Sequence, residues 1–426
     1  MINYWHLLAT SCVLLFSLRH GLRSAYPLFV LSMSFCTVSL LELSLGGFYL
    51  KAPELFFVFV FPLFALSVLK RVDGRSLIFV LIFILPFLLS IIKNLVNFEP
   101  IFVWEINAEQ RVNWWDKLAF KDGLTSTNFT QFLYVVFSLL VFFMGAHIGN
   151  WMTSERFVNA LKWSIFIVSV VGILQVACYY SDFYQFYINV FYNFSAAEYN
   201  RLAYHELAGV KRINATFTEP SVYGFYIALS VFVAYLLEGV AVFKSRRVLL
   251  ALVVGLFSLS GSFYIGVALL SLFVFLGAGK RTKLILVGCG VFFLIPVVVM
   301  FSLMNFDLLS ELFAQKSASL DERLYYGVVL PLENISKSPW FGFAFGSDRP
   351  TTLFFNLLIS VGTIGTLLLT ASFLFIWNGF VAAYLFFWAV MGFLIPDISL
   401  YFAWFYLGAG YALKRREMLG METRGA

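Results

Sequence analysis

Charge is the scarcest thing in this chain. Only 12% of its 426 residues are Asp, Glu, Lys or Arg, against about a quarter in a soluble domain, and that deficit excludes a water-soluble globular protein. The four cysteines, Cys12, Cys36, Cys178 and Cys289, all lie inside apolar stretches, so they read as packing residues rather than a disulfide framework. Of the four histidines, His6, His20 and His147 lie in or beside apolar runs and only His205 stands in a long polar connection. No paired-histidine motif, glycine-rich phosphate loop or nucleophile elbow occurs, so the sequence implies neither a metal nor a cofactor. Gly46, Gly47, Gly288 and Gly290 read as points of close helix packing. The strand-period alternation of a membrane β-barrel is missing too.

What is present in quantity is apolar surface: 61% of the residues are hydrophobic and the mean hydropathy is +0.88. A span needs roughly 20 apolar residues to cross a hydrocarbon core about 30 Å thick. By that measure spans fall near 3–18, 25–48, 54–69, 76–98, 129–149, 157–181, 219–243, 248–260, 262–279, 284–304, 352–376, 379–395 and 399–413. The expected fold is an all-α polytopic bundle of about 12–13 transmembrane helices in one membrane domain over residues 1–426, with no soluble domain left over. The run Ala9-Thr-Ser-Cys12 sits in an N-terminus without a basic region, which reads as a retained first span rather than a processed leader. Asn-x-Ser/Thr triplets at Asn128, Asn193, Asn214 and Asn334 read as chance.

The basic residues set an orientation. Arg19, Arg23, Lys70, Arg71, Arg75, Lys244, Arg246, Arg247, Lys280, Arg281, Lys283, Lys414, Arg415 and Arg416 fall in every second connection, and such connections face the cytoplasm. The net charge of +6 thus reflects topology and attraction to the lipid surface, not nucleic-acid binding. Three long connections, near 99–128, 182–218 and 305–351, fall on the opposite side.

One of these, 182–218, carries Tyr184, Tyr187, Tyr192, Tyr199, Tyr204 and His205 together with Arg201, Lys211 and Arg212. Rings suit sugar faces and guanidinium forks suit phosphate oxygens; equally, tyrosines form an interfacial belt at membrane boundaries. The segment Arg212-Ile-Asn-Ala-Thr-Phe-Thr-Glu219-Pro220 then puts an arginine and a glutamate at the mouth of a long apolar helix. Pro220 is pre-set for a first helical turn, and Glu219 stands at the positive helix end. Two readings of Glu219 stand side by side: a functional carboxylate, or a group that pairs with Arg212 and complements the helix terminus. Further on, Ser319 and Glu322 fit a capping box, placing Arg323 and Tyr326 on one face of an outer helix that Pro331 limits to about three turns; a solvated helix face is the plain reading of Arg323.

The run from Arg212 to Ser230 resembles the segment entering a central span in the Wzy-type O-antigen polymerases, where an arginine is followed by F-x-E-P-S. The run from Ser319 to Ser347 is similar to the signature in the last large outer loop of that superfamily, ending in P-x-x-G-x-x-x-G at Pro339, Trp340, Phe341, Gly342 and Gly346. O-antigen ligases belong to the same superfamily and carry a histidine and a small polar residue ahead of a G-x-x-G that opens the next span. Counting back from Gly362-Thr363-Ile364-Gly365 meets Thr351 and Thr352, so the ligase histidine is absent. Phe263 and Tyr264 stand where an arginine commonly follows the serine turn Ser258-Leu-Ser-Gly-Ser262.

The resemblance implies a metal-independent polymerase that joins polyprenyl diphosphate-linked oligosaccharide repeats at the periplasmic face of the bacterial inner membrane. It implies Arg212 and Arg323 as diphosphate ligands and Glu219 as the base, with Arg201, Lys211, His205, Tyr326 and Arg349 as further substrate-binding residues. The implied partners are the lipid-linked donor and acceptor, membrane lipids, and a chain-length regulator and flippase of the same pathway. A ligase and a polyprenyl-linked oligosaccharide flippase or transporter are the alternatives. Against transport stand spans nearly free of charge and no internal repeat.

Overall fold

The computed structural model describes residues 26–33, 39–43, 48–51, 73–104, 118–181, 183–191, 206–207, 210–217, 219–277, 324–348, 350, 352–395, 397–398 and 400–420. Among them the chain is predominantly helical. The helices are α1 (Tyr26–Ser32), α2 (Gly74–Val96), α3 (Ser126–Trp151), α4 (Ser154–Tyr180), α5 (Tyr184–Phe191), α6 (Pro220–Glu238, extended by a 3-10 stretch Gly239–Lys244), α7 (Arg246–Leu256), α8 (Gly261–Gly277), α9 (Leu330–Ile335), α10 (Leu353–Ser372, extended by a 3-10 stretch Phe373–Ile376), α11 (Gly379–Met391) and α12 (Tyr401–Met418). Three antiparallel two-stranded hairpins complete the described elements: β1 (Ser39–Leu43) with β2 (Phe48–Lys51), β3 (Ile101–Trp104) with β4 (Leu118–Lys121), and β5 (Glu206–Leu207) with β6 (Val210–Lys211).

Five segments are long and apolar enough to cross a membrane, Gly74–Val96, Ser126–Trp151, Ser154–Tyr180, Pro220–Lys244 and Leu353–Ile376, with shorter apolar helices at Gly261–Gly277 and Gly379–Met391. The five match the expected spans 76–98, 129–149, 157–181, 219–243 and 352–376, while the expected spans 262–279 and 379–395 hold apolar helices shorter than a full crossing. Expected span 399–413 is α12. Two expectations fail. Span 25–48 is a short helix, α1, followed by the β1–β2 hairpin. Span 248–260 is α7, whose eleven residues reach only about 16 Å, half the hydrocarbon thickness. Expected spans 3–18, 54–69 and 284–304 lie outside the described residues.

α12 is the hub. Every residue from Tyr401 to Leu413 is buried, and a helix enclosed on all sides must be apolar all round. Its closest partner is α3, which runs parallel to it through small residues: a Cβ added to Gly145 would lie 2.2 Å from Phe405 O, one on Gly149 2.5 Å from Ala409 O, and one on Gly408 2.1 Å from Phe142 O. Gly145-x-x-x-Gly149 is thus a small-residue crossing that brings two backbones together. Around it Phe79 and Phe83 of α2 pack on Trp404, with Phe142 and Phe373 against Phe79; the Trp404 indole N–H donates to Ile398 O at 2.6 Å.

The described basic residues of the even connections gather at one end of this bundle. Arg415, on the last turn of α12, pairs with Asp73 at the start of α2; Arg416 donates to the carbonyls of Gly149, Asn150 and Met152 that end α3; Arg247 stacks on Trp163 of α4 at 3.7 Å. Cations at helix C-termini complete the carbonyls left over there.

Candidate functional site at the opposite end

Away from the basic end, two irregular segments enter the bundle. Backbone without regular structure is tolerated at membrane depth only where protein satisfies its polar groups, and both segments can be accounted for bond by bond.

The first is Arg212–Phe217. Ile213, Asn214, Ala215, Thr216 and Phe217 are all buried, although the sequence places them in an outer loop. Gln175, near the end of α4, supplies what they need: its Oε1 accepts from the backbone N–H groups of Asn214 and Ala215, each at 3.0 Å, and its Nε2 donates to Asn214 Oδ1 at 2.6 Å. Ile213 N donates to Phe257 O at 3.1 Å. From outside, α5 closes the segment, with Tyr187 donating to Ala215 O at 2.8 Å and Tyr184 stacked on Tyr187. These two tyrosines are therefore core residues, neither sugar platforms nor belt.

Arg212 binds the serine turn that links α7 to α8, and Glu219 is connected to that turn through Ser221. Arg212 donates from Nε to Ser258 O at 3.1 Å and from Nη2 to Leu259 O at 3.2 Å. Leu259 holds φ +46, a left-handed conformation rare for a leucine, and this shape turns both carbonyls toward the guanidinium. On the other side of the turn, Ser260 and Ser262 hydroxyls share a bond at 2.7 Å and Ser262 donates to Ser221 O. Ser221 Oγ in turn donates to Glu219 Oε2 at 2.8 Å. Glu219 is the exposed N-cap residue of α6, with Pro220 following as expected, but its side chain does not cap the helix. Nor does it pair with Arg212 within ion-pair distance; Arg212 is anchored on the serine turn and Glu219 on Ser221, whose carbonyl the turn binds through Ser262. Ser221 and Gln175 are what sequence reasoning missed, together with the binding of Arg212 by the serine turn. The signal for Gln175 was a lone amide in an otherwise apolar stretch.

Lys211 is buried to 2% exposure, its ammonium over the Tyr179 and Tyr184 rings at 5.8 and 5.6 Å. Burial lowers its pKa to about 7, against the pull of Glu206 and with a push from Arg212. A lysine so placed is a poor phosphate ligand, since phosphate would have to follow it into an apolar pocket.

The second segment is Ser338–Asp348, which carries P-x-x-G-x-x-x-G. It docks where α10 breaks: Gly362 lies at φ +70 inside the helix. In a regular helix Thr363 and Ile364 would donate to Ile359 and Ser360. Here they donate to Pro339 O at 2.8 Å and Trp340 O at 3.3 Å, and the released Ile359 O accepts from Phe343 N at 2.8 Å. Released Ser360 O accepts from Ser90 Oγ at 2.7 Å. Asn94 and Asn128 donate to Gly342 O and Phe345 O, both at 3.0 Å, and Lys93 donates to Ser338 Oγ at 3.0 Å. Gly342 must be glycine: φ is +65 and a Cβ would lie 2.5 Å from Ile359 O. The Gly362-x-x-Gly365 run therefore interrupts a span rather than opening one.

Tyr326 is 2% exposed within a π-helical turn, Tyr325–Val329, that leads directly into α9, so it does not face solvent on an outer helix. Pro331 does not end the helix either. It lacks the N–H that Gly327 O would receive, and Thr352 Oγ1 donates to that oxygen instead, at 3.0 Å. Arg201, His205, Arg323, Arg349, Thr351, Ser319 and Glu322 lie outside the described residues. Among the described residues no group of three or more His, Cys, Asp or Glu could hold a metal.

No family model matches the chain, and neither a curated protein nor a solved structure matches it.

Proposed function

We propose that this membrane protein is a Wzy-type polysaccharide polymerase, joining polyprenyl diphosphate-linked oligosaccharide repeats without a metal at the non-cytoplasmic face of a bacterial inner membrane. The observation that carries the reading is the serine turn, which holds the Arg212 guanidinium directly and, through Ser262 and Ser221, the residue that bonds the exposed Glu219 carboxylate, at one end of the bundle. Both motifs that resemble the polymerases sit at that end, away from the basic residues that retain the cytoplasmic side.

In this reaction Glu219 removes the proton of an acceptor sugar hydroxyl. The oxygen attacks the anomeric carbon of the donor, a new C–O bond forms, and the bond from that carbon to the diphosphate breaks. Polyprenyl diphosphate leaves with the electron pair, and arginine donors stabilise the charge as it develops. Arg212 serves in this role because its anchoring to two carbonyls removes the freedom a surface arginine would lose on binding. Arg323 supplies a second donor in the same reading.

Two measurements test the proposal. Arg212→Ala, at matched membrane abundance, lowers polymer formation by about 10²–10³-fold, and Arg212→Lys restores little because it cannot reach both carbonyls. Deletion of the gene leaves lipid A-core capped by at most one repeat unit. Bare core with long polymer on its lipid carrier would instead identify a ligase, and normal polymer in the Arg212→Ala strain would remove the arginine from the reaction.

A further inference from the structure

We infer that α5 is an in-plane interfacial helix that, through Phe186 and through Phe183 just before its first turn, is seated in the lipid leaflet at the end of the bundle opposite the basic residues. The proposal concerns how the protein meets the bilayer and stands apart from the reaction proposed above.

The last charged residue of α4 is Lys162, paired with Glu238 of α6, and from Trp163 to Tyr180 no charge follows. Those residues rise about 27 Å, so the helix uses all of them to cross a core about 30 Å thick, and the boundary falls at its end. The exposed residues of α4 recur at Val170, Ile173, Leu174 and Tyr180, the spacing of one helical face. That face is the lipid surface of the span.

α5 opens at Tyr184, with three residues between it and the end of α4. Phe183 and Phe186 are 67% and 65% exposed and continue the apolar surface left by Tyr180, while Tyr184, Tyr187 and Ile188 are buried. The helix is short, amphipathic and without a charged residue. Two phenylalanines with two-thirds of their surface uncovered are unfavourable in water and favourable among acyl chains, at about 25 cal/mol per Å² of apolar area. The covering surface is thus lipid, continuous with the lipid already against α4. The buried face holds Ala215 through Tyr187, so α5 stands between the bilayer and the segment that carries Arg212.

The test uses the full chain in lipid nanodiscs. Phe183→Cys and Phe186→Cys, made with the native cysteines replaced, carry a bimane label; Leu81→Cys, on the exposed face of α2, is the lipid reference, and Asp122→Cys the aqueous one. We expect labels at 183 and 186 to lose most of their emission when the nanodisc lipids are brominated, as at 81, while the label at 122 keeps its emission. Retention of emission at both 183 and 186, with quenching by aqueous iodide equal to that at 122, would overturn the proposal. Should the cysteine-free chain fail to fold, benzoylphenylalanine placed at position 186 in the otherwise native chain is photolysed: a lipid adduct by mass spectrometry supports the assignment, and a peptide lacking one while the same probe at position 81 forms it refutes it.

Discussion

At the residue scale, Glu219 and Lys211 invert what their positions suggest. Glu219, at a helix N-terminus, leaves its capping role unused and is held by Ser221 in the first turn of α6 instead, which keeps a carboxylate exposed at the mouth of the helix. A base in that position makes Glu219→Gln about 10²–10⁴-fold slower with substrate binding retained, and Glu219→Asp slow as well because the shorter arm withdraws from the hydroxyl. A Gln variant of near-normal turnover in a polymerisation assay would reduce Glu219 to a structural residue. Lys211 carries a pH dependence. An unfolded lysine holds its proton to about 10.5, whereas the buried group releases it near about 7. Between these values the unfolded chain binds more protons, so stability rises with pH from about 7 to about 10 and is flat below that window. Lys211→Met removes the rise and is the more stable protein at pH 7, as thermal unfolding in detergent across pH 6 to about 10 would show.

At the element scale, the broken helix α10 and the Ser338–Asp348 segment form one unit in which each satisfies the other. The backbone donors diverted by the break reach Pro339 and Trp340, and the carbonyls it frees receive Phe343 and Ser90. Gly362 is the pivot: at φ +70 a Cβ would lie 2.3 Å from Trp340 C. Gly362→Ala therefore combines left-handed strain, about 1–3 kcal/mol, with an overlap between two backbones that cannot yield without undocking the segment. The expected outcome is a lowered unfolding temperature and new protease cleavage within 338–348. Wild-type resistance in that variant would show that the docked arrangement is not what holds the segment.

At the scale of the whole molecule, the parallel crossing of α3 and α12 joins the two ends. Gly408 lets α12 lie against Phe142 O, and the same helix carries Arg415 and Arg416 to the basic end. Gly408→Leu inserts a side chain where the backbones nearly touch. Overpacking of a buried site costs about 1–3 kcal/mol, and here no flexible neighbour can give way, so the purified variant should elute as aggregate rather than as a single species. A monodisperse Gly408→Leu protein with wild-type unfolding would mean that α3 and α12 are not packed backbone to backbone.

Membrane class, helical character and most of the described spans were legible in the sequence, because a bilayer leaves the chain few options and the residues that cross it must be apolar for about 20 positions in a row. The mouth of α6 was legible too, since Pro220 and Glu219 act through local backbone geometry. Residues 25–48 and 248–260 misled for the same reason: apolar composition says that a segment is buried, not how long its helix runs before it turns. What only the tertiary structure decided is where polar groups find their partners. Arg212 finds its partners on a turn some forty residues on (from Ser258 to Ser262), and the same turn binds the Ser221 that holds Glu219, while Gly362 looks like a helix opening until Pro339 and Trp340 arrive to accept from Thr363 and Ile364. Hydrogen bonds made across such separations leave no periodic trace in a sequence, because they depend on which helices stand side by side, and that follows from the packing of α2, α3, α4, α6 and α12 as a whole.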